Sequence, residues 1–459
     1  MIESGSFRDP TARVFYHKRR VLRGLSGKAA TIDAAARDCG VMDELVARGL
    51  FVNNWIADAD LVAPDGIPNE AIIESLRLPV MSYPSEWSFS MLQDAALVTL
   101  DANLLLLENG FILKDASAFN VVFTGVKPTI IDIASIDRFG ERGIWTAYGQ
   151  FCDHFLAPLM LDAYAGIPFQ QMLHGKTEGI PIGDLNRLLR GRAGVHKGIL
   201  THVRLRSVME RRAVGMGTEQ RRDVGKASLP VSAVAGTIRK IRKLVAELVS
   251  AASSTWVDYE EDLPYEIEST QAKADFVKAA AVAASSHSLA VDVGANAGLF
   301  TKILADHFDQ VVGIDNDQGA IDALYAATAA ARIKNLTPLV IDITNPTPAF
   351  GWRGKERVAF TDRIQPTFST WLAILHHLCL GIGIPLAEVV AQIFEFSDEA
   401  VVEFVDHADP MAQRISASRT TDLAPYSREL FEECAATHGE IITKTEVSGT
   451  RTMYHVRNR

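Results

Sequence analysis

The chain has 459 residues, 48% hydrophobic and 22% charged, with a formal net charge of -10. That balance excludes a disordered or fibrous protein, leaves length for two or three domains, and supplies no global field to draw in nucleic acid. The N-terminus, MIESGSFRDPTARVFYHKRR, lacks the apolar core of a signal peptide, and the apolar run around Leu375 is too short to span a bilayer. Cys39, Cys152, Cys379 and Cys434 share no metal-ligand spacing. The expectation is a cytoplasmic protein with buried free thiols, no bound metal and no membrane association.

In chain order, residues 1–185 mix helical periods with short apolar runs and form a first domain. A helix is predicted over about Met91–Glu108. It leads into Leu113-Lys-Asp-Ala-Ser-Ala-Phe-Asn120, then Val121-Val-Phe, a turn at Gly125 and Thr129-Ile-Ile-Asp132. An Asp, an Asn five residues later, two short strands and a second Asp also read as a β-hairpin with capping side chains. The same spacing resembles the catalytic loop and metal-binding acid of kinase-like phosphotransferases. By that resemblance Asp115 would position a hydroxyl, while Asn120 and Asp132 would hold Mg²⁺. Lys114 stands where the family has His or Tyr, and Ile133 and Ala134 stand in place of Phe-Gly. Gly24-Leu-Ser-Gly27-Lys28 is the nearest approach to a glycine-rich loop, and its spacing is wrong. The implied domain is an α+β, degenerate kinase-like one.

Residues 186–255 read as a basic helical linker, with about fifteen basic side chains against about three acidic ones between Arg187 and Lys243. No aromatic residues interleave as they would to stack on bases. The acidic stretch Ala252–Ser269, with Pro264, marks a boundary before a domain over 256–459.

From Gln271 helices and strands alternate: helix Ala272–Ala284, strand Leu289–Val293, helix Ala297–His307, strand Gln310–Ile314, helix Gln318–Ala331 and strand Thr337–Ile341. Alternation of this kind predicts parallel strands covered by helices, an α/β Rossmann-like sheet. In Leu289-Ala-Val-Asp-Val-Gly-Ala-Asn-Ala-Gly298 the strand runs into a glycine turn and then a helix. Gly294 lets the backbone turn, and Gly298 lets the helix start approach a ligand. The next two strands end in acids, Asp315 followed by Asn316, and Asp342 followed by Ile343. A carboxylate at the first position can accept from both hydroxyls of a ribose; one at the second suits an exocyclic amine.

VDVGANAGLFT and VVGIDND resemble the first two motifs of class I S-adenosylmethionine (SAM)-dependent methyltransferases. The resemblance covers residues 271–459. It implies SAM as cofactor, with Asp292, Gly294, Asn296 and Gly298 around its methionine, Asp315 and Asn316 at the ribose, and Asp342 and Ile343 beside the adenine. Phe368-Ser-Thr-Trp-Leu-Ala-Ile-Leu-His-His-Leu378 is the fourth strand region, the strand ending near Leu372 to Ile374. His376 and His377 follow it, and imidazole titrates near neutrality, so either suits a general base. His376, first after the strand, is preferred, and Cys379 is expected to be core. The D/N-PP-[FYW] motif of amino-methylating nucleic-acid enzymes is missing, with Thr370-Trp371 in its place. Trp352, Arg353, Glu356 and Arg363, in a polar segment before this strand, are expected to face substrate. Ala400–Val405 reads as a fifth strand and Gly439–Val456 as a closing hairpin.

SYPSEWSFSMLQDAAL, LKDASAFNVVF and YGQFCDHFLAPLML precede the SAM motifs in the order found in a family of bacterial methyltransferases similar to a rhizobial nodulation methyltransferase. The expected function is methyl transfer from SAM to a small molecule or carbohydrate-like metabolite. The alternatives are a non-catalytic SAM-binding protein and a bifunctional kinase–methyltransferase. The acceptor and the oligomeric state stay open.

Overall fold

The computed structural model describes residues 1–58, 60–189, 196–207, 228–251, 267–417 and 424–459. The chain divides into two compact units, Met1–Ser253 with Thr347–Val358, and Ser254–Pro346 with Ala359–Arg459.

In the first unit, four antiparallel strands, Ala12–His17, Arg20–Leu25, Ala71–Ser75 and Asn54–Ile56, form a sheet in that spatial order. Helix Phe89–Glu108 is its longest element. It is long and apolar enough to cross a membrane, which the sequence reading did not expect of any segment, yet 67% of that apolar window is buried inside the unit. The predicted hairpin is present as Val121–Thr124 paired with Lys127–Ile130.

The linker expected over 186–255 is not one where it is described. Helix Val231–Ala246 buries Val234, Ile238, Ile241 and Val245 on one stripe. Gln93 Nε2 donates to the carbonyls of Val245 and Leu248, and Arg242 pairs with Asp101 at 2.5 Å. Arg239, Lys240 and Lys243 are on the exposed face of this amphipathic helix, which packs on Phe89–Glu108. Residues 190–195 and 208–227, and the acidic boundary over 252–266, lie outside the described residues. The four cysteines are free; Cys152 and Cys379 are buried as expected, whereas Cys434 is half-buried and Cys39 is exposed.

The second unit holds a seven-stranded sheet: β1 (Leu289–Val293), β2 (Gln310–Asp315), β3 (Leu336–Val340), β4 (Phe368–Trp371), β5 (Glu399–Val405), β6 (Gly439–Ser448) and β7 (Arg451–Asn458). Its spatial order is β3-β2-β1-β4-β5-β7-β6. The first five strands are parallel, and β7 runs antiparallel to both β5 and β6. All seven residues of β5, EAVVEFV, are buried. A strand covered on both faces gives a continuous apolar run rather than an alternation. Helices α1 (Ile267–Ala283), α2 (Leu299–Ala305) and α3 (Gln318–Ala331) pack on the sheet, burying Val277, Leu304, Ile321 and Leu324 against Val311, Leu336 and Phe368. Asp317 caps α3, its carboxylate accepting from the backbone N–H of Gly319 and Ala320. Strand order reverses between β1 and β4, and in open α/β sheets a crevice forms there beyond the carboxyl ends of the strands.

β4 stops at Trp371, short of the predicted end. Ala373 takes a left-handed φ of 50°, which no strand accommodates, and turns the chain toward the two histidines.

Candidate active site

At that reversal point lies a cavity of 730 Å³, lined entirely by the second unit. Its rim begins with the glycine loop after β1. The N–H groups of Gly294 and Ala295 both donate to the Ile314 carbonyl at 2.9 Å, which ties the loop to β2. Gly294, Asn296 and Gly298 all have positive φ, at 78°, 43° and 83°. Gly298 is glycine for two reasons: its backbone is left-handed, and a Cβ there would stand 2.2 Å from Leu324 Cδ1. Packing against α3 therefore joins ligand approach as a reason for that glycine.

Asp315 closes β2 and lines the cavity. Its Oδ2 accepts from the Asn296 N–H and its Oδ1 from the Asp317 N–H, each at 3.0 Å. Burial raises its pKa, and these two N–H groups oppose the rise by stabilising the charged form. Asn316, Asp342 and Ile343 line the same cavity. Asp342 Oδ1 accepts from the Thr344 N–H at 2.9 Å and hydroxyl at 2.7 Å, which holds the turn after β3.

Asp292 is placed differently from the sequence expectation. It is only 2% exposed and does not line the cavity. Its two carboxylate oxygens accept from the hydroxyls of Thr301 and Thr370, each at 2.5 Å. It therefore ties β1 to α2 and β4 behind the glycine loop, instead of meeting a ligand.

His376 and His377 both line the cavity, their ring centroids 4.4 Å apart. His376 is 1% exposed, and its Nδ1 has no hydrogen-bond partner among the described residues. Burial, then the neighbouring His377 and the Arg451 charge, push its pKa down to about 3. Burial and Arg451 also lower that of His377. Both imidazoles are neutral near pH 7 and can accept a hydrogen bond. A group with a pKa near 3 is a weak proton acceptor, so the preference for His376 passes to His377.

A cluster of charged groups in this unit escaped the sequence reading. Lys273 Nζ lies 2.7 Å from Glu403 Oε1, and both side chains line the cavity although they are almost fully buried. Arg451 bridges Glu403 at 3.2 Å and Asp409 at 2.9 Å. Glu403 Oε2 also accepts from the Ala373 N–H at 2.9 Å, which holds the turn that carries the histidines. The available signal was Glu403 itself, an acid in the middle of the otherwise apolar run Ala400–Val405.

Trp352, Arg353, Glu356 and Arg363 do not line the cavity. Residues 347–358 belong to the first unit, where Glu356 pairs with Arg8 at 2.7 Å and the Val358 N–H donates to the Tyr83 hydroxyl. Cys379 is buried, as expected, inside the π-helical turn His377–Ile382.

In the first unit, Asp115 and Asp132 are close enough that the charge of Asp132 adds to burial in raising the Asp115 pKa. Asp115 Oδ1 accepts from the Ser117 N–H, and Asn120 precedes the hairpin with its carbonyl accepting from Ile131. Asp132 Oδ1, however, lies 2.8 Å from Arg23 Nη1. The acid that would hold a cation already has one. Among the described residues no group of three His, Cys, Asp or Glu side chains is arranged for a metal ion. ATP with Mg²⁺ is accordingly expected to give no metal-dependent thermal shift. A shift that disappears in Asp132→Asn would restore the phosphotransferase reading.

No protein-family model matches the chain. Over 455 residues, 98% of this chain and 95% of the relative, it is 31% identical to the nodulation protein NoeA of Rhizobium meliloti strain 1021. Among solved structures, the N-methyltransferase NodS from Bradyrhizobium japonicum WM9 is 14% identical, matching 43% of this chain and 99% of that one with a TM-score of 0.33. The bifunctional kinase-methyltransferase WbdD is 19% identical, matching 48% of this chain and 46% of that one with a TM-score of 0.31. Overlaps this loose say nothing about chemistry.

Proposed function

The chain belongs to the family of the nodulation protein NoeA, and on that footing we propose that it is a SAM-dependent methyltransferase acting on a small molecule or carbohydrate-like metabolite. One observation carries the reading: a glycine loop and two strand-end acids, Asp315 and Asp342, converge on a single cavity at the point where the sheet order reverses. The residues suit the cofactor. The left-handed Gly294 puts no side chain at its own place on the cavity wall, the Asp315 carboxylate is matched to a diol, and Ile343 and Ile341 are apolar surface for an adenine.

SAM supplies an electrophilic methyl on a sulfonium. The chain's own part is to hold and orient the two reactants and to accept the acceptor's proton. Asp315, Asn316, Asp342 and Ile343 would hold the nucleoside, and the loop Gly294–Gly298 lines the cavity beside them. His377 takes the proton. His376 stays neutral and packed, so its own ring adds no positive charge opposite the sulfonium. The volume of 730 Å³ lies in the range of small-molecule sites, in keeping with a small acceptor.

The test is calorimetry with S-adenosylhomocysteine (SAH), followed by incubation with methyl-labelled SAM and extract from the producing cells. Micromolar SAH binding with label in a low-molecular-weight product is expected. Binding without any label transfer would make the protein a SAM-binding module. Label in protein or nucleic acid would overturn the acceptor class.

A further inference from the structure

The ion pair between Lys273 and Glu403 has no role in the mechanism above. Lys273 comes from α1, before the glycine loop, and Glu403 from the middle of β5. Their side chains are 8% and 0% exposed, yet both border the cavity. Burying an ion pair is seldom the most stable way to fill such a position, because desolvation offsets the attraction and apolar side chains of similar size do as well or better. An ion pair kept on the wall of a ligand cavity therefore calls for a ligand that needs it.

Among the described residues, Lys273 is the only Lys or Arg that lines the cavity. At the nucleoside end the wall carries acids, Asp315 and Asp342; beside the histidines it carries a cation and an anion 2.7 Å apart. Arg451 and Asp409 extend the pair behind the wall, so the four charges sum to zero. A wall of that kind repels a ligand bearing one net charge of either sign less than it favours a ligand that carries both signs close together. An α-amino acid end is such a group, its carboxylate and ammonium separated by two bonds to one carbon.

We propose that Lys273 and Glu403 form the receptor for the α-amino-acid end of the cofactor, the Lys273 ammonium meeting the carboxylate and Glu403 the ammonium. This rests on the reading of the cavity as a SAM site and assigns the methionine end, which Asp292 does not reach, to residues outside the glycine motif. Charge-assisted hydrogen bonds at a largely dry site are strong enough to decide whether that end binds.

The experiment compares SAH with 5′-methylthioadenosine, which keeps the nucleoside and thioether and lacks the amino acid. Calorimetry is done on the full chain as wild type, Lys273→Met, Lys273→Arg and the doubly neutral Lys273→Met/Glu403→Gln, with thermal unfolding as a check on folding. The double variant leaves Arg451 paired to Asp409 and no unpaired charge in place of the two it removes. Lys273→Met and the double variant are expected to weaken SAH by roughly 10- to 100-fold and 5′-methylthioadenosine by less than about threefold. Lys273→Arg should recover most of the SAH affinity. Parallel changes for the two ligands, or none, would overturn the proposal. So would unchanged binding of both with lost label transfer, which would assign the pair to the acceptor. If the wild type binds neither ligand, the SAM reading fails; if it binds both equally, only the amino-acid receptor does.

Discussion

Turnover of a His377→Ala variant is expected to fall by roughly 10²–10⁴-fold, the usual contribution of a positioned proton acceptor, while SAH affinity stays close to wild type. The companion His376→Ala should behave in the opposite way. Its imidazole is buried, with its pKa pushed down to about 3, and contributes packing rather than basicity. Its loss should lower unfolding stability by roughly 1–3 kcal/mol and leave a turnover at matched SAM occupancy within about tenfold. The two variants are compared by label transfer to the acceptor fraction and by chemical denaturation. If His376→Ala loses turnover without losing stability, the roles are reversed. If neither variant loses turnover, proton removal is not done here and catalysis rests on positioning alone.

SAH affinity of Asp315→Ala is expected to drop by roughly 30- to 150-fold, which corresponds to the ~2–3 kcal/mol of a charge-assisted, two-oxygen contact. Part of that loss is indirect. The carboxylate also accepts from the N–H groups of Asn296 and Asp317, so removing it loosens the glycine loop as well as the ribose contact. Asp315→Asn separates the two, because its amide oxygen can still accept from one of those N–H groups but cannot grip a diol with two oxygens. Asparagine at wild-type affinity would mean that Asp315 supports the loop and does not touch the ligand. Calorimetry on the three proteins side by side decides this.

What could be read from the sequence was local. The strands β1 and β2, the glycine turn between β1 and α2, the α3 boundaries and the acids closing β2 and β3 are each encoded within a dozen residues, so a single pass along the chain finds them. Asp292 sits in the same stretch, but the direction of its side chain depends on Thr301 and on Thr370, the latter 78 positions away. Nothing near Asp292 indicates that its carboxylate faces inward. The Lys273–Glu403–Arg451–Asp409 cluster and the Arg23–Asp132 pair are long-range in the same sense: apart from Glu403, each charge alone looks like an ordinary surface residue. The basic segment was misread for a different reason. Counting its charges hid the apolar stripe of Val231–Ala246, which the helical period displays once the basic side chains are set aside.

The membership of residues 347–358 in the first unit bears on how the protein is made. A ribosome delivers the chain in order, at roughly 5–20 residues per second, and domains generally fold as they emerge. Here the leading unit lacks Phe350, Glu356 and Val358 until three of the seven strands of the trailing sheet have been synthesised, since these residues arrive between β3 and β4. Arg8 and the Tyr83 hydroxyl wait for partners that come from the far side of β1, β2 and β3. Neither half can therefore be released by a single cut in the gene: severing the chain near residue 254 strips one product of its last segment and leaves the other carrying it. Two polypeptides divided there should need to be translated together to recover the stability of the intact one.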